Sequence, residues 1–334
     1  MHETQKLYDV VVVGGGAAGL AGALSLGRAR RSVLVVDGGQ PRNAPAAHMQ
    51  NYLGSDGLPP AELLARARAE VTGYGVRIAP TEVVGARRSA DGRFTIDLAD
   101  GSTVRARRLL IATGVTDELP AVPGVAQRWG RDVLHCPYCH GWEVRDQPIG
   151  VLGTGPMATH IALLMRQWSA DVVLFRHTAP ELSTEQAAQV AARGVSVVDG
   201  EVRGLEVHED RLTGVRLRSG ELVERQAVVV TPRISPRLTG LDGLGLVPSE
   251  NPAGTHLAAD ASGATAVPGV WAAGNVTDPM AQVIIAAAAG SKAGAMINAD
   301  LITEDIDLAM APEFSARAEA QVCERVLADS RHGL

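Results

Sequence analysis

Apolar positions near the start of the chain follow two periods in turn. Residues 8–13 are an apolar β-branched run, interrupted by Asp9, that stops at Gly14-Gly15-Gly16. Residues 17–28, rich in Ala and Leu, carry helical spacing, and residues 32–36 are a second β-branched run closing on Asp37. A run that is apolar at nearly every position reads as a buried strand, so this order predicts a βαβ unit. Residues 61–74 have helical periodicity. Short strands are predicted over 76–79, 82–86, 93–98 and 103–111, with Asp91-Gly92 and Asp100-Gly101 as hairpin turns.

The pattern then repeats. Residues 120–130, with two prolines and two glycines, read as a crossover. A strand over 148–152, a Gly153-Thr154-Gly155 turn, a helix over 157–168 and a strand over 171–175 make a second βαβ unit. A helix over 184–193 and strands around 195–198, 204–208, 212–217 and 227–230 complete that half. Residues 232–245 read as a return crossover. Residues 269–273 are a further buried strand, followed by Gly274, a long helix over 281–302 and an amphipathic tail over 313–327. The fold expected is α/β, with two Rossmann-like (three-layer ββα) nucleotide-binding domains and the second inserted into the first. The division is 1–118 and 246–304 for the first domain, 119–245 for the insertion, and 305–334 for a helical tail.

Composition narrows the function. The chain has 334 residues, 46% hydrophobic and 20% charged, a globular balance. Aromatics are only 3% and the formal net charge is −6, which argues against nucleic acid and anionic membranes as partners. The N-terminal residues are polar and no apolar run is long enough to span a bilayer, so a cytoplasmic location is expected. Three cysteines with one close pair suggest a redox or metal site rather than a disulfide scaffold.

Gly14-x-Gly16-x-x-Gly19 follows a strand and opens a helix. The glycines permit a tight turn, backbone approach to a pyrophosphate and close helix–strand packing, while the helix N-terminus faces the phosphates. Asp37, a little over 20 residues on, is placed to accept from ribose hydroxyls. Ile111-Ala112-Thr113-Gly114 and Trp271-Ala272-Ala273-Gly274-Asn275 bracket the insertion. Each is a strand ending in small residues, as one flat cofactor shared by two chain segments requires.

Cys136-Pro137-Tyr138-Cys139 is the chemical centre. A C-x-x-C turn brings two sulfurs within bonding reach, and a local environment that favours thiolate makes the pair exchange-competent. His135 and His140 flank it as proton carriers. Zinc is the competing reading, but six successive residues do not easily offer four tetrahedral ligands and no second pair exists, so no metal is expected. Cys323 reads as a buried or half-exposed structural residue, and His160 as solvated or packed.

Together these motifs resemble the low-molecular-weight thioredoxin reductase family of FAD proteins, over roughly residues 7–300. The resemblance rests on Gly14, Gly16 and Gly19, on Gly39-Gln40, on Asn51, on residues 111–114, on the C-x-x-C before an inserted nucleotide domain, and on residues 272–275 followed by Gln282. It implies FAD held by Gly14, Gly16, Ala17, Ala18, Gly19, Asp37, Gly39, Gln40, Asn51, Ala112, Thr113, Gly114, Gly274, Asn275, Gln282 and Val283. It also implies Cys139 beside the flavin, Cys136 exchanging with substrate, and a homodimer.

The departures redirect the function. Thioredoxin reductases usually carry an aspartate where His140 stands, and Ala-Ala-Gly-Asp where this chain has Asn275. Gly153, Gly155 and Ala158 keep the second fingerprint. The basic H-R-R-x-x-x-R stretch that grips the NADPH 2′-phosphate is replaced by Arg176-His177-Thr178-Ala179-Pro180-Glu181-Leu182. Trading several charge-assisted contacts for a carboxylate disfavours NADPH, on the order of a hundredfold in affinity. Cys-Pro-Tyr-Cys-His-Gly-Trp and residues 38–59 are similar to the dithiol oxidase branch that closes disulfides in holomycin- and gliotoxin-type natural products. A small-molecule dithiol as electron donor, O2 as acceptor and His140 as first proton carrier are therefore expected. A reductase fed by NAD(P)H is the alternative.

Overall fold

The computed structural model describes residues 6–251, 254–310, 319–320 and 323. The first βαβ unit lies at the centre of a seven-stranded sheet. Leu7–Val13 pairs in parallel with Val33–Val36 on one side and with Thr103–Ile111 on the other. Arg77–Ala79 extends the sheet beyond Val33–Val36. Thr103–Ile111 is shared: its first half pairs antiparallel with Phe94–Leu98, which continues to Val83–Arg88, and its last residues pair in parallel with Val270–Ala272. The strand expected after the insertion therefore returns beside the last strand before it. Residues Val10, Val11 and Val12 are fully buried, as a strand covered on both faces requires.

The inserted unit has its own five-stranded parallel sheet, ordered Ser196–Val198, Val172–Phe175, Ile149–Leu152, Ala227–Val230, Val133–Leu134. A three-stranded antiparallel layer, Val202–His208, Arg211–Leu217 and Leu222–Glu224, packs against it. This is the two-domain α/β architecture the sequence leads one to expect.

The crossovers differ from the expectation. The chain leaves the first unit as a strand, Val115–Glu118, and returns as a strand, Arg233–Pro236, and the two pair antiparallel with Ser235 opposite Thr116. Their backbone groups satisfy each other, so the passage between units is a ribbon rather than two loose loops. Two further strands, Pro248–Asn251 and Gly254–Leu257, extend it. None of these is periodic enough to read from sequence.

The last helix runs Val283–Met310, beyond the residue 302 where the pattern alone ended it. No Gly or Pro interrupts residues 303–310. The extension is also tied down by Arg107 and Arg108, which pair with Asp300, Glu304 and Asp305. This helix lies against Ala17–Arg28 at very short range. A Cβ on Gly290 would run into the Ala18 carbonyl oxygen, and one on Gly294 into that of Gly22. Two glycines thus set the depth at which the helix N-terminus meets the first unit. The helix after the second fingerprint is shorter than expected, Ala158–Met165. The tail read over 313–327 lies outside the described residues except Glu319, Ala320 and Cys323. Cys323 is exposed, not buried or half-exposed as expected. His160 is exposed.

Candidate active site

A cleft of about 780 Å³ runs from the first glycine turn to the cysteine pair. At one end lie Gly14, Gly16, Ala17 and Ala18. Gly14 has φ +109°, and a Cβ there would strike the Ala112 carbonyl, so glycine is required for the strand to turn into the helix. Asp37, Gly39 and Gln40 line one wall, and Ala112, Thr113 and Gly114 the floor. Asn275, Gln282 and Val283 face them from the return segment. Cys136, Cys139, His135 and His140 close the far end. Three of the residues named from the sequence stand back from the cleft. Gly19 packs against the Gly14 carbonyl, Gly274 against Ala18, and Asn51 reaches the cleft only through Gln282.

Cys136 and Cys139 form a disulfide with Cα atoms 5.2 Å apart. Pro137–His140 is a single helical turn, in which the Cys139 and His140 N–H groups donate to the Cys136 carbonyl at 3.1 and 3.2 Å. Pro137 suits the first position of that turn, where no N–H is needed. Both flanking histidines have a buried Nδ1 with no partner. Burial lowers the His135 pKa to about 4; the Arg42 charge adds to the fall, while Asp117 and a hydrogen bond with the Val230 backbone oppose it. Burial also pulls His140 below the usual imidazole range, with Glu143 acting the other way. Both rings are therefore neutral near pH 7, each with a ring nitrogen free to take or hold a proton.

Several residues of this site carry no sequence signal. Arg42 donates to both oxygens of Asp117 and to the Pro279 carbonyl. Arg237 donates to the Gln40 carbonyl at 2.8 Å. Together they fasten the loop after Gly38 to both strands of the interdomain ribbon. Arg68 holds Asp37 Oδ2 at 2.8 Å, while Asp37 Oδ1 accepts from the Gly39 N–H. Asn275 explains one departure from the family pattern: its Nδ2 donates toward the carbonyls of Asp278, Pro279 and Ala281 at 3.1, 3.3 and 2.8 Å. A carboxylate has no hydrogen to give there. Among the described residues no group of three or more His, Cys, Asp or Glu is placed to hold a metal ion.

The inserted unit presents a second nucleotide turn in different surroundings. Gly153, Gly155 and Ala158 are in place, but Pro156 removes one backbone N–H from the turn. Arg176 is spent on Asp199, 2.5 Å away, with Glu181 nearby. The His177 ring accepts from the Val202 N–H at 3.0 Å, and Arg218 pairs with Glu201.

Residues 8–290 match the family model described as pyridine nucleotide-disulphide oxidoreductase. The chain belongs to that family. Thioredoxin reductase tcpT of Claviceps purpurea is 30% identical over 311 residues, covering 90% of this chain and 96% of that protein. Thioredoxin reductase sirT of Leptosphaeria maculans is 30% identical over 323 residues, covering 92% and 98%. The crystal structure of HlmI superposes with TM-score 0.86 at 49% identity, covering 97% of this chain and 99% of that one. These likenesses place the chain among the thioredoxin reductase-like members of the family, on the holomycin/gliotoxin-type branch. Membership implies FAD, and the cleft fits it. Gly16 and Gly114 leave open space where a Cβ would stand, and Thr113 Oγ1 is buried there without a partner.

Proposed function

We propose that this disulfide oxidoreductase is an FAD-dependent dithiol oxidase: it converts a small-molecule dithiol to its intramolecular disulfide and passes the electrons to O2, giving H2O2. The observation that carries the reading is the contrast between the two nucleotide turns. The first opens on a continuous cleft ending at Cys136–Cys139. The second lacks the arginines of the phosphate-gripping stretch, since Arg176 is paired with Asp199 and neither arginine nor lysine stands at 177, 178 or 182. NADPH is accordingly a weak or absent donor.

A substrate thiolate attacks Cys136 Sγ, the enzyme disulfide breaks, and the electron pair stays on Cys139. The second substrate thiol then loses its proton and attacks the substrate sulfur bound to Cys136. The cyclic disulfide leaves, and Cys136 departs as thiolate. His140, with His135 in support, takes the protons at its free ring nitrogen. When bound, FAD supplies the two-electron acceptor that restores the enzyme disulfide and hands the electrons to O2. A homodimer is part of this reading. It is supported by exposed Ile285, Met296, Ile306 and Met310, which share one face of the last helix. Among the described residues no helix is long and apolar enough to cross a membrane.

The retained Gly153/Gly155/Ala158 turn favours a second reading, an NAD(P)H-dependent disulfide reductase. Mixing anaerobic holoenzyme with a small dithiol, NADPH or NADH and following loss of flavin absorbance separates the two. The oxidase bleaches with dithiol. Fast bleaching by NADPH with none by dithiol assigns it as the reductase.

A further inference from the structure

Gln282 stands between two partners. Its Oε1 accepts a 2.7 Å hydrogen bond from Asn51 Nδ2, and its Nε2 lies 4.0 Å from Cys139 Sγ. An amide has one accepting end and one donating end. With the oxygen occupied by Asn51, the N–H end is committed to the sulfur. Asn51 is itself held: its backbone sits at φ +60°, a conformation that Gly, Asn and Asp adopt more readily than other residues, and its N–H donates to Asp56 Oδ1 at 2.6 Å. Gln282 is fixed from the other side, because its carbonyl accepts from the Ala286 N–H in the first turn of the last helix.

We propose that Asn51 is a positioning residue which, through Gln282, aims an amide N–H at Cys139 and stabilises its thiolate when the disulfide opens. While the sulfurs are bonded, neither carries charge and the contact contributes little. When a thiolate attacks Cys136, the S–S bond breaks and its electron pair stays on Cys139. A donor already pointing at that sulfur then meets an anion. It lowers the thiol pKa and makes Cys139 a better leaving group, with no proton needed at that atom. The proposal rests on the reading of Cys136 as the attacked sulfur, and assigns to two residues read as FAD contacts a role toward the cysteine. Other charged or titratable groups share the cleft with Cys139. They are His135 and His140 on its own segment, Arg42 and His48 on the loop opposite, Asp117 on the outgoing strand, Arg237 after the return strand, and Asp37, Arg68 and Glu82 elsewhere along the lining. All stay in place in the variants below.

The test measures the Cys139 thiol in holoenzyme carrying Cys136→Ser and Cys323→Ser, which leaves it as the single cysteine of three. Its pKa is read from the pH dependence of the iodoacetamide alkylation rate. Adding Gln282→Ala raises that pKa by about one to two units, the worth of a hydrogen bond to a charged group. Gln282→Met, which keeps the volume, gives the same rise. Asn51→Asp, tolerated at this φ, offers only acceptors, so Gln282 turns end for end and presents its oxygen to the sulfur. The pKa rises at least as far. In the Gln282→Ala background Asn51→Asp adds only the smaller through-space effect of its charge. The proposal is overturned if both Gln282 variants leave the pKa unchanged, or if the Asn51→Asp shift persists undiminished without Gln282. No turnover is involved, so a protein that proves to be a reductase leaves this measurement interpretable.

Discussion

Arg42 grips Asp117 with two parallel hydrogen bonds, from Nε at 2.8 Å and Nη2 at 2.6 Å, and spends its remaining Nη1 on the Pro279 carbonyl. The pair is largely covered, with the side chains only 21% and 8% exposed. It joins the loop after Gly38, the outgoing strand Val115–Glu118 and the segment leading into the last helix. Removing one partner of a covered ion pair leaves the other charge unpaired and costs about 3 kcal/mol. Arg42→Ala and Asp117→Ala are each expected to lower unfolding free energy by that order in urea titrations of the holoenzyme. The double variant loses clearly less than the sum. Strict additivity shows that the two side chains do not act as a unit.

His135 links the site to acid stability. Its folded pKa is lowered from 6.5 to about 4, so the folded state binds fewer protons than the unfolded chain between those values. Stability contributed by the neutral ring is therefore complete above the unfolded pKa and is lost as pH falls through that window. The full effect is on the order of 3 kcal/mol. His135→Asn, which keeps a small polar group at the position, is expected to flatten the fall in melting temperature between pH 6.5 and about 4. An unchanged slope removes His135 as its source.

Asn275 holds the turn that delivers Gln282 and Val283 to the cleft. Asn275→Asp replaces two donated hydrogens with a charge facing three carbonyl oxygens. Each lost bond is worth about 1 kcal/mol before any repulsion is counted. The variant is expected to unfold at lower temperature and to release FAD more readily on dilution, measured by recovery of free flavin fluorescence. Equal retention of FAD and equal melting dismiss the carbonyl contacts as a structural lock.

What is readable in the sequence is what is local. The fingerprint at Gly14, Gly16 and Gly19 is a backbone requirement written in three residues, and the cysteine pair needs only one helical turn to bring its sulfurs together. Val10–Val13 read as a covered strand because parallel pairing on both sides demands an apolar residue at every position. Arg42, Asp117, Arg68 and Arg237 are different. Each is a common surface residue by type, and its role exists only once segments dozens to hundreds of positions apart are neighbours. The paired crossovers escape for a related reason: Val115–Glu118 and Arg233–Pro236 each bury one aliphatic residue, Val115 and Ile234, too few to show a period, and their pairing comes from distant backbone. Asn275 is a mixed case. The departure from aspartate is visible, but the three carbonyls that favour an amide are not.

The inserted unit offers a test of the proposal that NADPH is a poor donor. Thr178 lines a cavity of about 810 Å³ at the mouth of the second glycine turn, together with His177, Arg203 and Arg218. The resembling family usually has an arginine at the position aligned with Thr178, and the Thr178 N–H is already anchored on the Gly153 carbonyl at 3.1 Å. Thr178→Arg therefore adds a guanidinium to an existing frame, and Asp199→Asn in the same chain frees Arg176 from its ion pair. Two regained charge-assisted contacts to a 2′-phosphate are worth about 3 kcal/mol, or roughly a hundredfold in affinity. The double variant is expected to bind NADPH more tightly than the parent in calorimetric titration, with NADH, which lacks that phosphate, unaffected. Equal gains for both cofactors mean that general charge, not phosphate recognition, was changed. No gain for either shifts the cause from the cations to the turn itself, where Pro156 offers no N–H.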